Sequence, residues 1–409
     1  MTSQTTPYRG FWLIALLSVL LGFASISTDL YLPALPTMGE SLGASQGTLE
    51  LTISGYLLGF SFGQLVWGPV SDRYGRKGPL LAGIAIFIIG AAGCALSTDA
   101  WQMIGWRVVQ AVGASAAVVL GRAMVRDLFD QREAARTLST LMMIMGIAPM
   151  IGPTIGAQIL AVSSWHFIFW TLVLIGLLTL AGVGRTAESL PLDQRGTGGI
   201  GQAFANYGQH FRNSRLMAYA GTLGCFAAGV FAYVAGSSFV FIEFYSLSPN
   251  IYGLVFASGI VGIMLANAVN RRLVNRFGSE KLLLAGTFLG MGAGALLLAQ
   301  AWTGWGGLPA FAGALFVFVT MNGLIGANAI AGGLASVRQG AGSAAALLGF
   351  AQYGGGMIGS ALVGTMANGT PMPMAVIIAV STLAASFCSM ILLRDSAGQR
   401  DAIATAESG

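Results

Sequence analysis

The chain has 409 residues, of which 55% are hydrophobic and only 9% are charged. Because soluble domains carry roughly 25% charged residues, this composition excludes a water-soluble globular protein and indicates lipid as the solvent. The net charge of +5 does not indicate a nucleic-acid-binding surface, since the basic residues lie between apolar runs and are not interleaved with aromatic residues.

Twelve apolar runs are long enough to cross a bilayer, which requires about 20 apolar residues in a helix. In chain order they cover residues 11–33, 48–68, 79–97, 101–121, 138–161, 165–184, 216–242, 251–270, 281–301, 307–330, 341–367 and 372–393. The first run is too long for a cleaved signal peptide and lacks a small-residue cleavage site, so it is predicted to be the first span. The sequence therefore predicts an all-α integral membrane protein.

Few ionisable residues lie inside predicted spans, and one acid and one base among them are clearly intramembrane. Asp29 falls in the outer half of the first span, and Arg107 falls in the outer half of the fourth. Both are functional candidates, because a charge in lipid is costly. A partly desolvated Asp29 is suited to binding and releasing a proton or contacting substrate, whereas a neighbouring Arg107 would make it a structural ion-pair partner. A third interpretation, that Asp29 only ends its helix, also stays open.

The loop after the second predicted span combines glycines with one acid and three basic residues. Glycine allows a tight turn, and Asp72 can favour one global state by pairing with a helix N-terminus or with Arg in that state only. The alternative is that the basic residues only fix topology against anionic lipid, which leaves the acid and the glycines unexplained. The candidate switch residues are Gly68, Asp72, Arg73, Gly75, Arg76 and Lys77.

The fifth predicted span carries glycines and two prolines four residues apart. Such residues remove side-chain bulk along one face and interrupt helical hydrogen bonding, so the helix can bend and pack closely. Ordinary small-residue packing is the alternative explanation. The residues concerned are Gly146, Pro149, Gly152, Pro153 and Gly156.

Residues 185–215 form the longest hydrophilic stretch and divide six predicted spans from six. The predicted organisation is an N-terminal six-helix bundle (1–184), a cytoplasmic linker (185–215), a C-terminal six-helix bundle (216–394) and a cytoplasmic tail (395–409). A weak internal repeat agrees with it, since Arg73-Tyr74-Gly75 and Arg276-Phe277-Gly278 hold equivalent places in the two halves. The second copy has Asn275 in place of Asp72, so any latch there must work differently.

Polar and aromatic residues of several spans are candidates for lining a central cavity. Most such side chains in helical bundles instead bond across helices or pack, so this remains one of two interpretations. The candidates are Tyr56, Phe231, Tyr233, Asn322, Asn328, Gln352 and Tyr353.

The basic residues predict the orientation of the spans. Every Lys and Arg except Arg107 lies in a segment on the side of the N-terminus, whereas the opposite loops carry acids such as Glu40, Glu50 and Asp99. Because Lys and Arg are enriched in cytoplasmic loops, both termini are predicted to be cytoplasmic.

Three of these segments resemble motifs of one transporter family. The loop at 68–77 is similar to the signature loop of the major facilitator superfamily, residues 146–156 resemble the motif of its proton-coupled antiporters, and residues 107–113 are similar to a third family motif. Together with residues 29–36, these segments make the chain look like the Bcr/CflA group of exporters, named for resistance to bicyclomycin and to chloramphenicol or florfenicol. The motifs all lie in the N-terminal half, so they assign no substrate residue in the second half.

The resemblance implies twelve transmembrane helices in two pseudo-symmetric six-helix halves, in the bacterial cytoplasmic (inner) membrane. It also implies proton-coupled export of small amphipathic drugs by alternating access. Export of a natural metabolite such as a nucleoside, purine or amino acid is the alternative, and passive facilitation is a further one. The expected partners are a small-molecule substrate, protons and the lipid bilayer, with no nucleic acid, and the protein is expected to be a monomer.

No enzymatic function is predicted. The sequence lacks a Gly-x-x-x-x-Gly-Lys phosphate loop and a zinc-type His/Cys spacing, and its two histidines, His166 and His210, give no Ser/His/Asp set. The three cysteines lie far apart in apolar runs and suggest neither a disulfide framework nor a metal site. We therefore expect no metal and no cofactor, with an ion gradient as the energy source.

Overall fold

The computed structural model describes residues 11–195, 208, 210–337 and 341–407. They form an all-helical protein, with no strand among them. Arg9, Arg338, residues 196–207 and 209 of the predicted linker and residues 408–409 of the predicted tail lie outside the described residues.

Fourteen α-helices occur in the described part of the chain. They are α1 (Phe11–Asp29), α2 (Leu35–Leu42), α3 (Gln46–Tyr74), α4 (Lys77–Ala95), α5 (Ala100–Leu128), α6 (Gln131–Val162), α7 (His166–Gly184), α8 (Ser214–Ser238), α9 (Pro249–Phe277), α10 (Ser279–Thr303), α11 (Gly307–Thr320), α12 (Asn322–Ala335), α13 (Ala341–Met366) and α14 (Met372–Glu407). Short 3₁₀ turns cover Leu32–Ala34 and Leu192–Gln194, and α8 continues as a π-helix, Phe239–Phe244.

The twelve predicted spans correspond to these helices, several of which extend beyond the predicted ends, and three spans differ in other ways. The first span was expected to reach residue 33, but α1 ends at Asp29 because Pro33 lacks the N–H group that would bond to the Asp29 carbonyl. The seventh span adds the π-helical segment, and the tenth is divided at Met321 into α11 and α12.

Polar caps determine where several long helices begin. The side chains of Ser45, Asp99 and Asp130 each accept a hydrogen bond from the backbone N–H three residues further on, at 3.3, 2.9 and 2.8 Å. Such caps satisfy N–H groups that lack a partner inside the helix. At its other end α3 runs to Tyr74, beyond the predicted residue 68, and stops where Gly75 takes φ +90°.

Ten of the helical segments are long and apolar enough to cross a membrane. The two remaining predicted spans are α3 and α6, of which α6 contains a shorter apolar stretch, Pro149–Val162. The lower hydropathy of α3 comes from polar residues such as Glu50, Thr52 and Gln64, all of which are buried against other helices. A span shielded from lipid in this way does not need to be apolar all round.

The helices pack in two groups joined along a central seam. In the first group α5 contacts α1, α3 and α4, and in the second α8 contacts α12, α13 and α14. The groups meet where α3 packs against α13 and where α6 packs against α9. The seam between two helical groups is the usual place for the substrate path of a transporter built from repeats.

The seam is tightly closed at one end of the molecule. Ser54 on α3 and Ser360 on α13 are hydrogen-bonded at 2.9 Å, and Gln158 on α6 donates to Asn250 on α9 at 3.0 Å. These contacts lie near the start of α3 and α9 and near the end of α6 and α13. The end of the molecule that carries these helix termini is called the closed end below.

Candidate functional site

Asp29 is the last residue of α1 and faces α6. Its side chain is only 5% exposed, and it accepts a hydrogen bond of 3.3 Å from the Thr28 hydroxyl. No Lys or Arg of the described residues forms a salt bridge with it. A buried carboxyl without a cationic partner is costly in its charged form, so this environment suits a group that exchanges a proton.

Two glycines of α6 allow α1 to come close enough for this contact. A Cβ atom at Gly152 would lie 3.0 Å from the Cβ of Asp29, and one at Gly156 would overlap the backbone carbonyl of Leu30. The helix continues through Pro149 and Pro153 without ending. Asp29 and the glycines of α6 are separate features of the sequence. In the structure they form one packed contact.

Arg107 on α5 is completely buried and holds the end of α1 through a hydrogen bond and a ring contact. Its Nη1 donates to the Ser27 carbonyl at 3.0 Å and to the Gln110 side chain at 2.6 Å. The guanidinium lies between the rings of Tyr31 and Tyr56, 4.4 and 4.3 Å from their centroids. Each cation–π contact is worth about 0.5–2 kcal/mol, so the two rings offset part of the cost of burying this charge.

The structure does not bring Asp29 and Arg107 into an ion pair. Arg107 binds the backbone of Ser27, two residues before Asp29, so it acts on the acid through the position of the helix end. The sequence left three interpretations of Asp29 open. The geometry agrees with a residue that ends its helix, and the carboxyl also lacks a cationic partner among the described residues. The remaining guanidinium nitrogens, Nε and Nη2, have no hydrogen-bond partner among the described residues.

Aromatic side chains from both groups of helices meet next to this site. Tyr353 on α13 lies 4.4 Å from Phe60 on α3 and 5.9 Å from Phe231 on α8, measured between ring centroids. Tyr56 continues the row at 6.1 Å from Phe60. The row crosses the seam and provides polarisable faces suited to planar apolar molecules.

The other cavity candidates lie in different surroundings. Tyr233 is buried and stacks on Phe256 at 5.4 Å, while Asn322 and Gln352 are half-buried. Asn328 is almost fully buried and donates to Asn270 on α9 at 2.7 Å. The structure thus places Asn328 in a helix-to-helix link instead of a cavity wall, because its amide is already satisfied there.

The loop at 68–77 is organised around Arg76. The guanidinium binds Asp72 at 2.5 Å, the Ser71 hydroxyl at 2.7 Å and Asp127 at the end of α5 at 2.8 Å. The exposed Arg73 lies over the neighbouring Tyr74 ring, and a Cβ at Gly68 would meet no described atom. The sequence proposed Arg or a helix N-terminus as the partner of Asp72, and the structure contains the Arg contact.

The acid at the α4 N-terminus is Glu188, which follows α7. It accepts hydrogen bonds from the backbone N–H groups of Arg76 and Lys77 at 2.8 and 3.1 Å. Lys77 in turn donates to carbonyls after α7, including that of Thr186 at 2.7 Å. Partial burial opposes ionisation of Glu188, but three backbone N–H groups and the charge of Arg195 outweigh it and lower the pKa of this carboxyl. Glu188 is therefore ionised at neutral pH and ties α4 to α7.

Replacing Asp72 by Asn is expected to slow transport while leaving expression and substrate affinity less changed. The amide removes the charge that faces Arg76, whereas Asp127 and Ser71 still hold the guanidinium. A salt bridge with an exposed partner is worth about 0–1 kcal/mol, so we expect the balance between the two global states to shift up to about fivefold without unfolding. Distance measurements between labels on the two faces report this shift.

The matched control for this variant is Asp193→Asn. Asp193 is an exposed acid of the segment after α7, so its removal changes the net charge equally without touching Arg76. Full activity and an unchanged population in Asp72→Asn would leave Asp72 with a role in topology only.

Several residues of the site were not predicted from the sequence. Asp127 and Glu188 contact Arg76 from positions that are far away in the chain and outside the predicted spans, whereas Gln110 lies one turn from Arg107. The one available signal was the i, i+3 spacing of Arg107 and Gln110, which places both on the same helix face.

Comparison with known proteins agrees with the motifs. The family model for the Major Facilitator Superfamily matches residues 16–360. The uncharacterized MFS-type transporter YdgK of Bacillus subtilis is 35% identical over 393 residues, which cover 94% of this chain and 96% of that protein. The Bicyclomycin resistance protein homolog of Haemophilus influenzae is 29% identical, covering 91% and 93%. The Chloramphenicol resistance protein of Pseudomonas aeruginosa is 32% identical, covering 68% and 65%.

Solved structures share the arrangement of helices. A partially occluded inward open form of the xylose transporter XylE from E. coli superposes with a TM-score of 0.71 at 16% identity, over 93% of this chain and 97% of that chain. A mutant of the nucleoside transporter NupG gives 0.74 at 13% identity, over 93% and 99%. At these identities the likeness concerns the fold alone.

Proposed function

Because the chain belongs to the major facilitator superfamily, we propose that it exports small amphipathic drugs or drug-like compounds in exchange for protons that enter the cell. The protein is a multi-span membrane transporter and not an enzyme, and transporters of this family use no cofactor. The proton gradient would therefore be the source of energy.

The observation that carries the proton part of this proposal is the position of Asp29. The carboxyl is buried at the end of α1, lacks a basic partner among the described residues and packs against the glycine face of α6. A conformational change that separates the two groups of helices next to the end of α1 would change the solvation of this acid. Proton binding and conformation are then linked, which is what coupled transport requires.

Arg107 would support this role by positioning the carboxyl. Its hydrogen bond to the Ser27 carbonyl and its contacts with Tyr31 and Tyr56 fix the last turn of α1.

The aromatic row supports the drug part of the proposal. Phe60, Phe231 and Tyr353 come from both groups of helices and contact one another directly, so a planar apolar substrate that replaced these contacts when the seam widens would contact both halves at once. Rocking of the halves would then break some of these contacts and expose the substrate to the other side. The names of two relatives refer to bicyclomycin and chloramphenicol, which favours drugs over natural metabolites as substrates.

The orientation proposed from the basic residues places both termini in the cytoplasm of a bacterial cell, with the protein in the inner membrane as a monomer. In this orientation the closed end of the seam faces outward. Residues 1–184 and 216–394 would be the two six-helix bundles, joined by the segment 185–215.

The test uses purified protein in liposomes with an acidic lumen, in the orientation that exposes the cytoplasmic face. Chloramphenicol and bicyclomycin are the probes, with a nucleoside as the metabolite control. We expect drug accumulation that collapses when an ionophore removes the pH gradient, together with proton efflux from the lumen. Accumulation that persists without a gradient and requires ATP would overturn the mechanism, and accumulation of the nucleoside alone would overturn the substrate class.

A further inference from the structure

Glu50 is a fully buried carboxyl on α3 that the proposed transport mechanism does not use. Gln46 donates a hydrogen bond of 2.8 Å to its Oε1, while Oε2 has no hydrogen-bond partner among the described residues. Such a group carries a large desolvation cost when charged, unless a cation or several donors compensate it. Only one donor is present among the residues that the structure describes, so the surroundings fit the neutral acid.

Glu50 lies directly in the seam between the two groups of helices. A Cβ atom at Gly364 on α13 would be 3.3 Å from the Cβ of Glu50, and Gly47, one turn earlier, lies against the Gly364 backbone. The Ser54–Ser360 hydrogen bond closes the next turn. Glu50 is therefore covered by the opposite half of the protein, and separation of the halves at this end would expose it to water.

The charged groups next to Glu50 at this end are acids. Glu243, in the π-helical segment that follows α8, lines the same small cavity as Gln46, and Glu40 belongs to α2, which contacts that segment. The Tyr31 hydroxyl is hydrogen-bonded to Thr52, and its ring lies against Arg107. The described residues of α13 include no charged side chain. On α5 the outer cap is another acid, Asp99, and Arg107 is held by Ser27, Gln110 and two tyrosines.

A small cavity lies next to the partner of Glu50. Gln46, the partner of Glu50, and Glu243 line a small cavity at the closed end, together with Phe239, Val240, Gly369 and Thr370. Its walls come from both halves of the protein. Opening of the seam here would join the cavity to bulk water and place Glu50 on its surface.

We propose that Glu50 is a second protonation site, which binds a proton when the outer end of the seam closes and returns it to the outer solution when that end opens. It differs from a coupling acid because it exchanges protons with one side only. It would therefore change the pH dependence of the conformational equilibrium without changing the number of protons carried. The assignment of sides rests on the proposed orientation, whereas the link between proton binding and closure does not.

The direction of the effect follows from linkage. The closed state binds one proton more than the open state at Glu50, so lower pH favours closure and higher pH favours opening. For a single proton, the ratio of closed to open molecules changes by up to about tenfold per pH unit in the range where the two states differ in protonation.

The test measures closure directly with spin labels on cysteines introduced at the exposed positions Ser41 and Met366, which lie on opposite sides of the seam at the closed end. The native cysteines Cys94, Cys225 and Cys388 are first replaced by Ala. Distances are recorded in lipid nanodiscs over a pH series, without drug and without a gradient.

In the Asp29→Asn variant we expect the closed fraction to rise as the pH falls. When E50Q is added to that variant, we expect the protein to remain closed at every pH. The amide in E50Q mimics the neutral acid. Glu40→Gln is the matched control, since it removes an exposed acid at the same end, and it should keep the pH dependence. Equal pH dependence with and without E50Q would overturn the proposal, as would a wild-type population that does not respond to pH.

A second measurement does not depend on the folding of a variant. Infrared difference spectra of the wild-type protein, taken between closed and open populations, should contain the carbonyl band of a protonated carboxyl that loses its proton on opening. Labelled glutamate assigns the band to Glu or Asp, and the absence of a Glu band would contradict the assignment. Because neither experiment involves drug flux, their outcome is separate from that of the transport test.

Discussion

Asp29→Asn is expected to abolish proton-driven drug accumulation. Asn has the same size and still accepts the hydrogen bond from Thr28, so the contact with Gly152 is kept, but an amide does not bind a proton in this pH range. A gradient of one pH unit supplies about 1.4 kcal/mol per proton, which supports up to about tenfold accumulation for one-to-one exchange. We expect that ratio to fall to the level of passive equilibration.

The measurement compares accumulation with drug-for-drug exchange in the same liposomes. If Asp29 only couples protons, exchange continues in the variant, and if the residue also touches substrate, binding weakens as well. Asp99→Asn is the matched control, because Asp99 is an exposed helix cap and Asn caps a helix about equally well. A variant that pumps normally with unchanged pH dependence would leave Asp29 as a structural residue at the end of α1.

The fold was largely predictable because lipid imposes a simple rule on the sequence. Each span needs a continuous apolar run, and the runs could be counted without knowledge of the packing. The ends were harder to predict, since they depend on local features such as the Ser45 cap, the prolines after Asp29 and the positive φ of Gly75. Even α3, which is less apolar than most of the others, was predicted, because residues 48–68 still form one apolar run between polar segments.

The contacts of the site were less predictable, because they join residues on different helices. The sequence identified Asp29 and Arg107 as the intramembrane acid and base, but not that two tyrosines and a backbone carbonyl would hold the guanidinium. It also gave no means of separating Asn328, which is bonded to Asn270, from a residue of the cavity wall. The depth of a residue in the membrane follows from its position along its own helix. The contacts of its side chain depend on the neighbouring helix, which the sequence does not specify.

Gly156→Ala is expected to disrupt both folding and transport. The added methyl group would overlap the carbonyl oxygen of Leu30, and this is backbone, which cannot move aside as a flexible side chain can. Extra volume in a packed core typically costs 1–3 kcal/mol, and at this site it also displaces the end of α1 that carries Asp29. We expect a lower unfolding temperature in detergent and loss of most proton-driven accumulation.

The same substitution along α6 provides a graded series with its own control. A Cβ at Gly152 would meet the Cβ of Asp29 at 3.0 Å, which is tight but less severe, and one at Gly146 would meet no described atom within 4 Å. Gly146→Ala should therefore be close to the wild-type protein, or slightly more stable because Ala favours the helix, and Gly152→Ala should be intermediate. The order Gly156, Gly152, Gly146 in unfolding temperature and flux would tie the motif to its contact with α1. Equal effects at all three positions would instead mean that the glycines act on the flexibility of α6 alone.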